Sequence, residues 1–257
     1  MAGNIRSKQI GAAPGVSVRV SHYAPGAVMR THAHAAHQVS LVLAGELEER
    51  SGSDCRDLSG PSLGYKASGR DHANRYGPNG ALILSINLDS YDAVAPAASG
   101  WRWRPAGADE IRLARAMTAA GGTRDLLDFA ADLAAGMDEF DEDRDVRRPG
   151  SHPDWVLRLR DQLREETEPV DLDAAARSAG VHRAHLSRGF RRCFGMPPSL
   201  YALRCRLARG VRYLADGAPG SHAAHDAGFA DQSHFIRMLK RETGFTPEIL
   251  RGLLAAG

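Results

Sequence analysis

The chain has 257 residues, enough for two domains that each bury a core of their own. A hydrophobic share of 43% and a charged share of 25% are ordinary for a globular protein, which excludes wholesale disorder, collagen and a long coiled coil. The net charge is only +2, yet residues 174–257 hold 13 Lys/Arg against 5 Asp/Glu and the rest hold 20 against 26, so an anion-seeking C-terminal part follows a mildly acidic N-terminal one.

The opening stretch MAGNIRSKQIGAAPG lacks the apolar centre of a signal peptide. Nowhere does the chain approach the roughly 20 apolar residues that span a bilayer. Cys55, Cys193 and Cys205 show no CxxC spacing and cannot all pair, which argues against a disulfide framework or a cysteine zinc site. Together these features predict a cytoplasmic protein without membrane contact.

Residues 11–92 predict a β-rich domain. Val16, Val18 and Val20 alternate with polar residues, Val39, Leu41 and Leu43 form a second alternating run, and Leu82, Leu84 and Ile86 a third. Pro25-Gly26, Gly60-Pro61, Gly77-Pro78 and Asn79-Gly80 punctuate these runs as turns. Short strands at this spacing predict a sandwich or barrel. The stretch VAPAASG at 94–100 reads as a linker, and helical patterns follow at 107–119 and 123–137. The acidic run DEFDEDRD at 138–145 and Arg147-Arg148-Pro149-Gly150 mark a further boundary, after which everything is helical. The expected fold class is α+β in two domains, divided as 1–98 (barrel), 99–150 (helical linker) and 151–257 (all-α).

A repeat at an offset of 49 residues is the most informative feature. RAHLSRGFRRCFGMPPSLY (183–201) aligns with QSHFIRMLKRETGFTPEIL (232–250), matching Leu186 with Phe235, Arg188 with Arg237, Arg191 with Lys240, Gly195 with Gly244 and Pro198 with Pro247. As helices, both copies put Leu186, Phe190 and Phe194, or Phe235 and Leu239, on an apolar stripe. The opposite faces carry Ala184, Ser187, Arg188 and Arg191 in one copy and Ser233, Ile236, Arg237 and Lys240 in the other. Gly195 and Gly244 stop the helices, and a shorter helix with a glycine turn precedes each copy, ending at Gly180 or Gly228. Helix, glycine turn and second helix is the helix-turn-helix arrangement. Small residues beside one arginine suit a major groove, where arginine pairs with guanine O6 and N7. A connecting helix over 199–216 would set the two units about 27 Å apart at 1.5 Å per residue, close to the spacing of adjacent major grooves.

These residues resemble the C-terminal module of AraC-family transcription regulators, over about 100 residues from Pro153 to Leu253. GFADQSHF (228–235), then Arg237 and the GFTP of 244–247, carries the resemblance most specifically. By position it implies that Arg183, Ala184, Ser187 and Arg188 belong to a first recognition helix and Gln232, Ser233, His234 and Arg237 to a second. Arg191, Arg192, Lys240 and Arg241 fall where phosphates are touched or the fold supported. Gly220, Ala223 and Ala224 stand where the family has large aliphatics, which predicts a short or loosely packed supporting helix in the second unit. The resemblance also implies double-stranded DNA, a homodimer built on the midchain helices, and contact with RNA polymerase.

In the β-rich part, Gly26 is followed by His32-Ala33-His34, Gln38 and Gly45, and later by Gly69-Arg70-Asp71-His72. These spacings resemble the two motifs of the cupin fold, a small β-barrel. In metal-binding cupins the motifs supply His, His, Glu and His; the matching positions here are His32, His34, Gln38 and His72. Neutral imidazoles bind Zn, Fe, Ni or Mn, and Gln38 removes an anionic ligand without excluding a three-histidine site. Ala67 and Tyr76 also depart from the motif. The other reading of these histidines is a hydrogen-bonding lining for an organic effector. His37 is expected on the outer face or in a turn.

The expected function is a sequence-specific DNA-binding transcription regulator, not an enzyme, whose cupin-like domain binds a small-molecule or metal effector. Two alternatives remain: a metal-dependent cupin oxygenase or isomerase with a DNA-binding tail, and a chromatin or adaptor protein whose basic helices read no sequence. Only base-edge contacts call for matched recognition stripes, which disfavours the latter.

Overall fold

The computed structural model describes residues 5–89, 100–112, 114 and 152–254. Eight strands form one antiparallel sheet: β1 (Ile5–Ala13), β2 (Val16–Tyr23), β3 (Val28–His32), β4 (His37–Ser51), β5 (Asp54–Ser59), β6 (Ser62–Lys66), β7 (His72–Leu88) and β8 (Trp101–Pro105). The order along the sheet is β1-β2-β7-β4-β6-β8, with β3 on β7 and β5 on β4. The sheet therefore runs past residue 98: β8 pairs with β6, Trp101 opposite Lys66 and Trp103 opposite Gly64.

The long strands β4 and β7 serve two halves of the barrel. Gly77-Pro78-Asn79-Gly80, expected as turns, lie inside β7. Between the pairs Leu47–Tyr76 and Gly45–Ala81 the register slips, and these four residues bulge. The bend depends on Gly45 and Gly80, both at positive φ; a Cβ on Gly45 would lie 2.1 Å from the Gly80 carbonyl oxygen, and one on Gly80 2.2 Å from that of Tyr23. A bulge carries the same glycine and proline signals as a turn, which is why the sequence pattern misplaces it.

Alternation assigns the two faces of the sheet. Val18, Val20, Val39, Leu41, Leu84 and Ile86 belong to one dry cluster, whereas Gln38, Ser40 and Ser85, one residue out of step, line a cavity on the other face. The apolar runs thus mark the face that meets the helices, and their polar neighbours mark the barrel interior.

Within residues 152–254 lie seven helices: α1 (Asp154–Glu165), α2 (Leu172–Ser178), α3 (Arg183–Phe194), α4 (Pro198–Ala215), α5 (Gly220–Asp226), α6 (Gln232–Thr243) and α7 (Pro247–Leu254). Caps fix their limits. The Asp171 carboxylate accepts from the N–H groups of Asp173 and Ala174, and that of Asp231 accepts from the His234 N–H at 2.7 Å. Gly195 and Gly244 close α3 and α6 in the left-handed conformation, φ 74° and 79°.

The two helical units are backed differently. Val156, Leu159, Leu163, Ala176, Leu186, Phe190, Met196 and Tyr201 form a separate core for the first. Leu207, Val211, Ala223, Phe235, Leu239 and Leu250 of the second join the cluster that contains the strand residues of the barrel. The central helix α4 packs on β7 and β4. At Gly210 it passes so close to α6 that a Cβ there would sit 2.5 Å from the Phe235 ring. Of the expected midchain helices, only 108–112 and 114 lie within the described residues; the rest, and with it the expected dimerisation region, falls outside them.

Candidate functional site

The helix-turn-helix units repeat the same construction. In each, a seven-residue helix (α2 or α5) is followed by a glycine turn, Gly180 at φ 66° or Gly228 at φ 83°, and a twelve-residue helix (α3 or α6). Leu186, Phe190, Phe235 and Leu239 are fully buried beneath α3 and α6. The opposite faces are open: Arg188, Arg191, Gln232, Ser233, Arg237 and Lys240 are exposed, and Ala184 and Ser187 half-buried. Three expected contacts carry qualifications. Arg183 pairs with Asp173 at 2.9 Å, so its guanidinium must leave that carboxylate to reach DNA. His234 is half-buried with its ring edge-on to Phe229, centroids 5.4 Å apart, and Arg241 pairs with Glu242. The second supporting helix is as long as the first, and Ala223 and Ala224 are almost completely buried. The expected loose packing is corrected here, because α4 approaches closely enough for alanine to fill the space.

Arg209 escaped the sequence reading. Buried on α4, it donates to the carbonyls of Arg164 at 2.9 Å, Glu166 at 3.3 Å and Ala227 at 3.4 Å, satisfying the C-terminal ends of α1 and α5 together. A second polar junction ties the first unit to the barrel. Glu46 on β4 pairs with Arg164 of α1 at 2.9 Å and accepts a hydrogen bond from the Tyr201 hydroxyl of α4. Cys205 lies alongside; burial, then the Glu46 charge, pushes its thiol up to about 12, so it stays protonated and structural.

In the barrel, His32 ends β3, His34 lies just beyond it and His72 opens β7. One ring nitrogen from each comes within 4.8 Å of the others. His32 Nδ1 is 2.8 Å from the Arg30 carbonyl oxygen and His72 Nδ1 is 3.1 Å from that of Arg70. A carbonyl only accepts, so each Nδ1 carries a proton, and the neutral form of each ring is the tautomer with its lone pair on Nε2, the one a metal ligand needs. Burial, then neighbouring His72, brings the His34 pKa down to about 4; burial, then Lys66, lowers that of His72, so both rings stay neutral. The donor set fits a divalent transition metal. Gln38 lines the same cavity, but its amide donates to Asn87 at 3.0 Å and accepts from Ser40 at 3.2 Å. His37, as expected, faces the other way, its Nδ1 2.7 Å from the Tyr65 hydroxyl.

The deeper wall holds a charged pair that the sequence reading missed. Glu49 is fully buried and receives Lys66 Nζ at 3.0 Å, Trp103 Nε1 at 2.8 Å and Trp101 Nε1. With the Asn74 amide turned so that its NH2 faces the carboxylate, a fourth donor sits at 3.0 Å. Burial works to raise the Glu49 pKa, but Lys66 and the indole donors outweigh it and keep the carboxyl below its usual range. The available signals were the one-residue alternation that puts Glu49 on the face of Leu47 and the Trp101-Arg102-Trp103 pattern, with both tryptophans facing inward.

These features define an eight-stranded antiparallel sheet that encloses a lined cavity, joined to a tandem helix-turn-helix module. Residues 175–252 match the model of a helix-turn-helix domain family. The regulatory protein Ada of Salmonella typhimurium is 32% identical over 90 residues, 35% of this chain and 26% of that protein. The transcriptional activator RhaS of Escherichia fergusonii is 33% identical over 86 residues, 33% of this chain and 31% of that one. A helix-turn-helix domain thus lies in the C-terminal region, over residues 175–252. The match spans only about a quarter to a third of the length of these curated relatives. Among solved structures, KdgF from Halomonas sp. aligns with 35% of this chain and 83% of its own at 21% identity and a TM-score of 0.32. ToxT from Vibrio cholerae aligns with 95% of this chain and 100% of its own at 11% identity and a TM-score of 0.41.

Proposed function

We propose that the protein is a sequence-specific DNA-binding transcription regulator whose barrel senses a small effector or a metal ion. The observation that carries this reading is the pair of matched helices α3 and α6, each buried on one side and presenting Arg188 or Arg237, with small or polar neighbours, on the other. Arg188 and Arg237 read base edges, and Arg191 and Lys240 meet phosphates. Arg183, Ala184, Ser187, Gln232, Ser233 and His234 complete the two contact faces. An effector that favours one arrangement of barrel and helices shifts the population toward it, and the shared core with the second unit offers a direct route.

His32, His34 and His72 are the residues that would hold a divalent metal (Zn, Fe, Ni or Mn), with Gln38 beside them. A bound ion would supply a fixed positive charge within the cavity. Stoichiometric metal in the purified protein, lost on His32→Ala with His34→Ala, is the expected result; its absence from the unmutated protein would remove the metal from the account. The proposed setting is cytoplasmic, consistent with the absence of any helix long and apolar enough to cross a membrane among the described residues. A homodimer and contact with RNA polymerase belong to the same reading, as does the lack of enzymatic activity. Selection of bound duplexes from a random pool tests the function: enrichment of one bipartite sequence is expected, and recovery of unselected DNA would reject it.

A further inference from the structure

The cavity wall is of two kinds. His32 and His34 line part of it, and Lys66, with its N–H donors, lines another part. The Lys66 side chain is 4% exposed and its ammonium lies 5.0 Å from the centre of a Trp103 ring. One N–H meets Glu49 at 3.0 Å and another the Ser40 hydroxyl at a long 3.4 Å; among the described residues no acceptor is recorded for the third. Glu49 balances the Lys66 charge one to one and also accepts hydrogen bonds from two indoles and the Asn74 amide. A buried ammonium with an N–H left for a further acceptor can add a charge-assisted hydrogen bond to a carboxylate oxygen. Among the described residues, Glu49 is the only carboxylate lining the cavity. The cavity volume is about 40 Å3, so only a small ligand fits.

We propose that this cavity takes a small carboxylic acid, its carboxylate accepting from Lys66 and its other end lying against the histidines. The proposal rests on the reading of the barrel as the sensing domain and names the chemical class of its effector. Lys66 is then the specificity-determining residue, and Glu49 positions it.

The test is calorimetric titration of the full-length protein, stripped of metal, with acetate, glycolate and propionate and with the corresponding amides. Removing Lys66 alone would strand Glu49, so the variant is Lys66→Met with Glu49→Gln, which keeps the size of both side chains and a carbonyl for the indoles. Its folding is checked by its melting temperature and by Ni2+ uptake at the histidines. At least one acid should bind while its amide does not, and its affinity should fall tenfold or more in the folded double variant. Equal binding of acid and amide, unchanged affinity in that variant, or no binding by any of the three acids would overturn the proposal. Duplex selection with the same preparation keeps the outcomes apart: a bipartite operator beside failed acid binding sinks this inference alone.

Discussion

The two helix-turn-helix units have the same pattern and different foundations. The first rests on its own core and meets the barrel through the Glu46–Arg164–Tyr201 junction. The second is built into the apolar cluster of the sheet, so that Phe235 and Leu84 belong to one body. A duplicated sequence therefore yields one unit whose tie to the barrel is largely polar and one continuous with the barrel by packing. Polar ties are easily reset by a change of charge or geometry, whereas a shared dry core moves as a block.

The largest expected effect tests that distinction. Phe235→Ala should cost about 3–5 kcal/mol and lower amide protection in β4 and β7 together with α6. Leu186→Ala, its counterpart in the first unit, should cost about 2–5 kcal/mol and leave strand protection intact. Hydrogen exchange resolved by segment reads both, and equal loss of strand protection in the two variants would erase the difference.

Next is Glu46→Gln. It removes the charge facing Arg164 in a junction that retains some solvent, at an expected cost of about 2 kcal/mol. Exchange should quicken in α1 and α3 and stay unchanged in α6; acceleration in α6 alone would show that the junction serves the wrong unit.

A smaller, pH-dependent effect belongs to the junction on the second unit's side. His22 on β2 is 4% exposed, with Asp216, Arg6 and Arg212 nearby, and burial brings its pKa down to about 4. Between pH 6.5 and 4 the unfolded chain binds a proton that the folded one refuses, so stability is greatest above pH 6.5 and declines as pH falls. From pH 7 to 5.5 this amounts to about 1 kcal/mol. His22→Gln should flatten that part of the melting-temperature profile; an identical slope in both proteins would assign the loss elsewhere.

The sequence was most legible where local rules act alone. Gly195 and Gly244 end their helices as their spacing predicts, because a left-handed cap is a local requirement that glycine meets. The motif spacings likewise pick out His32, His34 and His72, which the fold brings together. What escaped notice depends on long-range pairing. Glu49 stands in a stretch that reads as solvent-facing until β8 brings Trp101 and Trp103 to it, 52 and 54 residues away in sequence. Arg209 looks like one of many arginines until α1 and α5 aim carbonyls at it. The merging of the second unit with the barrel leaves no mark in the repeat, since Leu186 and Phe235 occupy equivalent positions over different cores.

The most direct test of DNA reading by both units is a base-by-base affinity profile of the selected duplex, measured against random DNA. The account predicts two determinant clusters about one helical turn apart. Arg188→Ala should weaken specific binding by about 1–3 kcal/mol and relax preference at one position of one cluster, and Arg237→Ala at one position of the other. Equal losses on selected and random duplexes in both variants, with the preference profile unchanged, would contradict it.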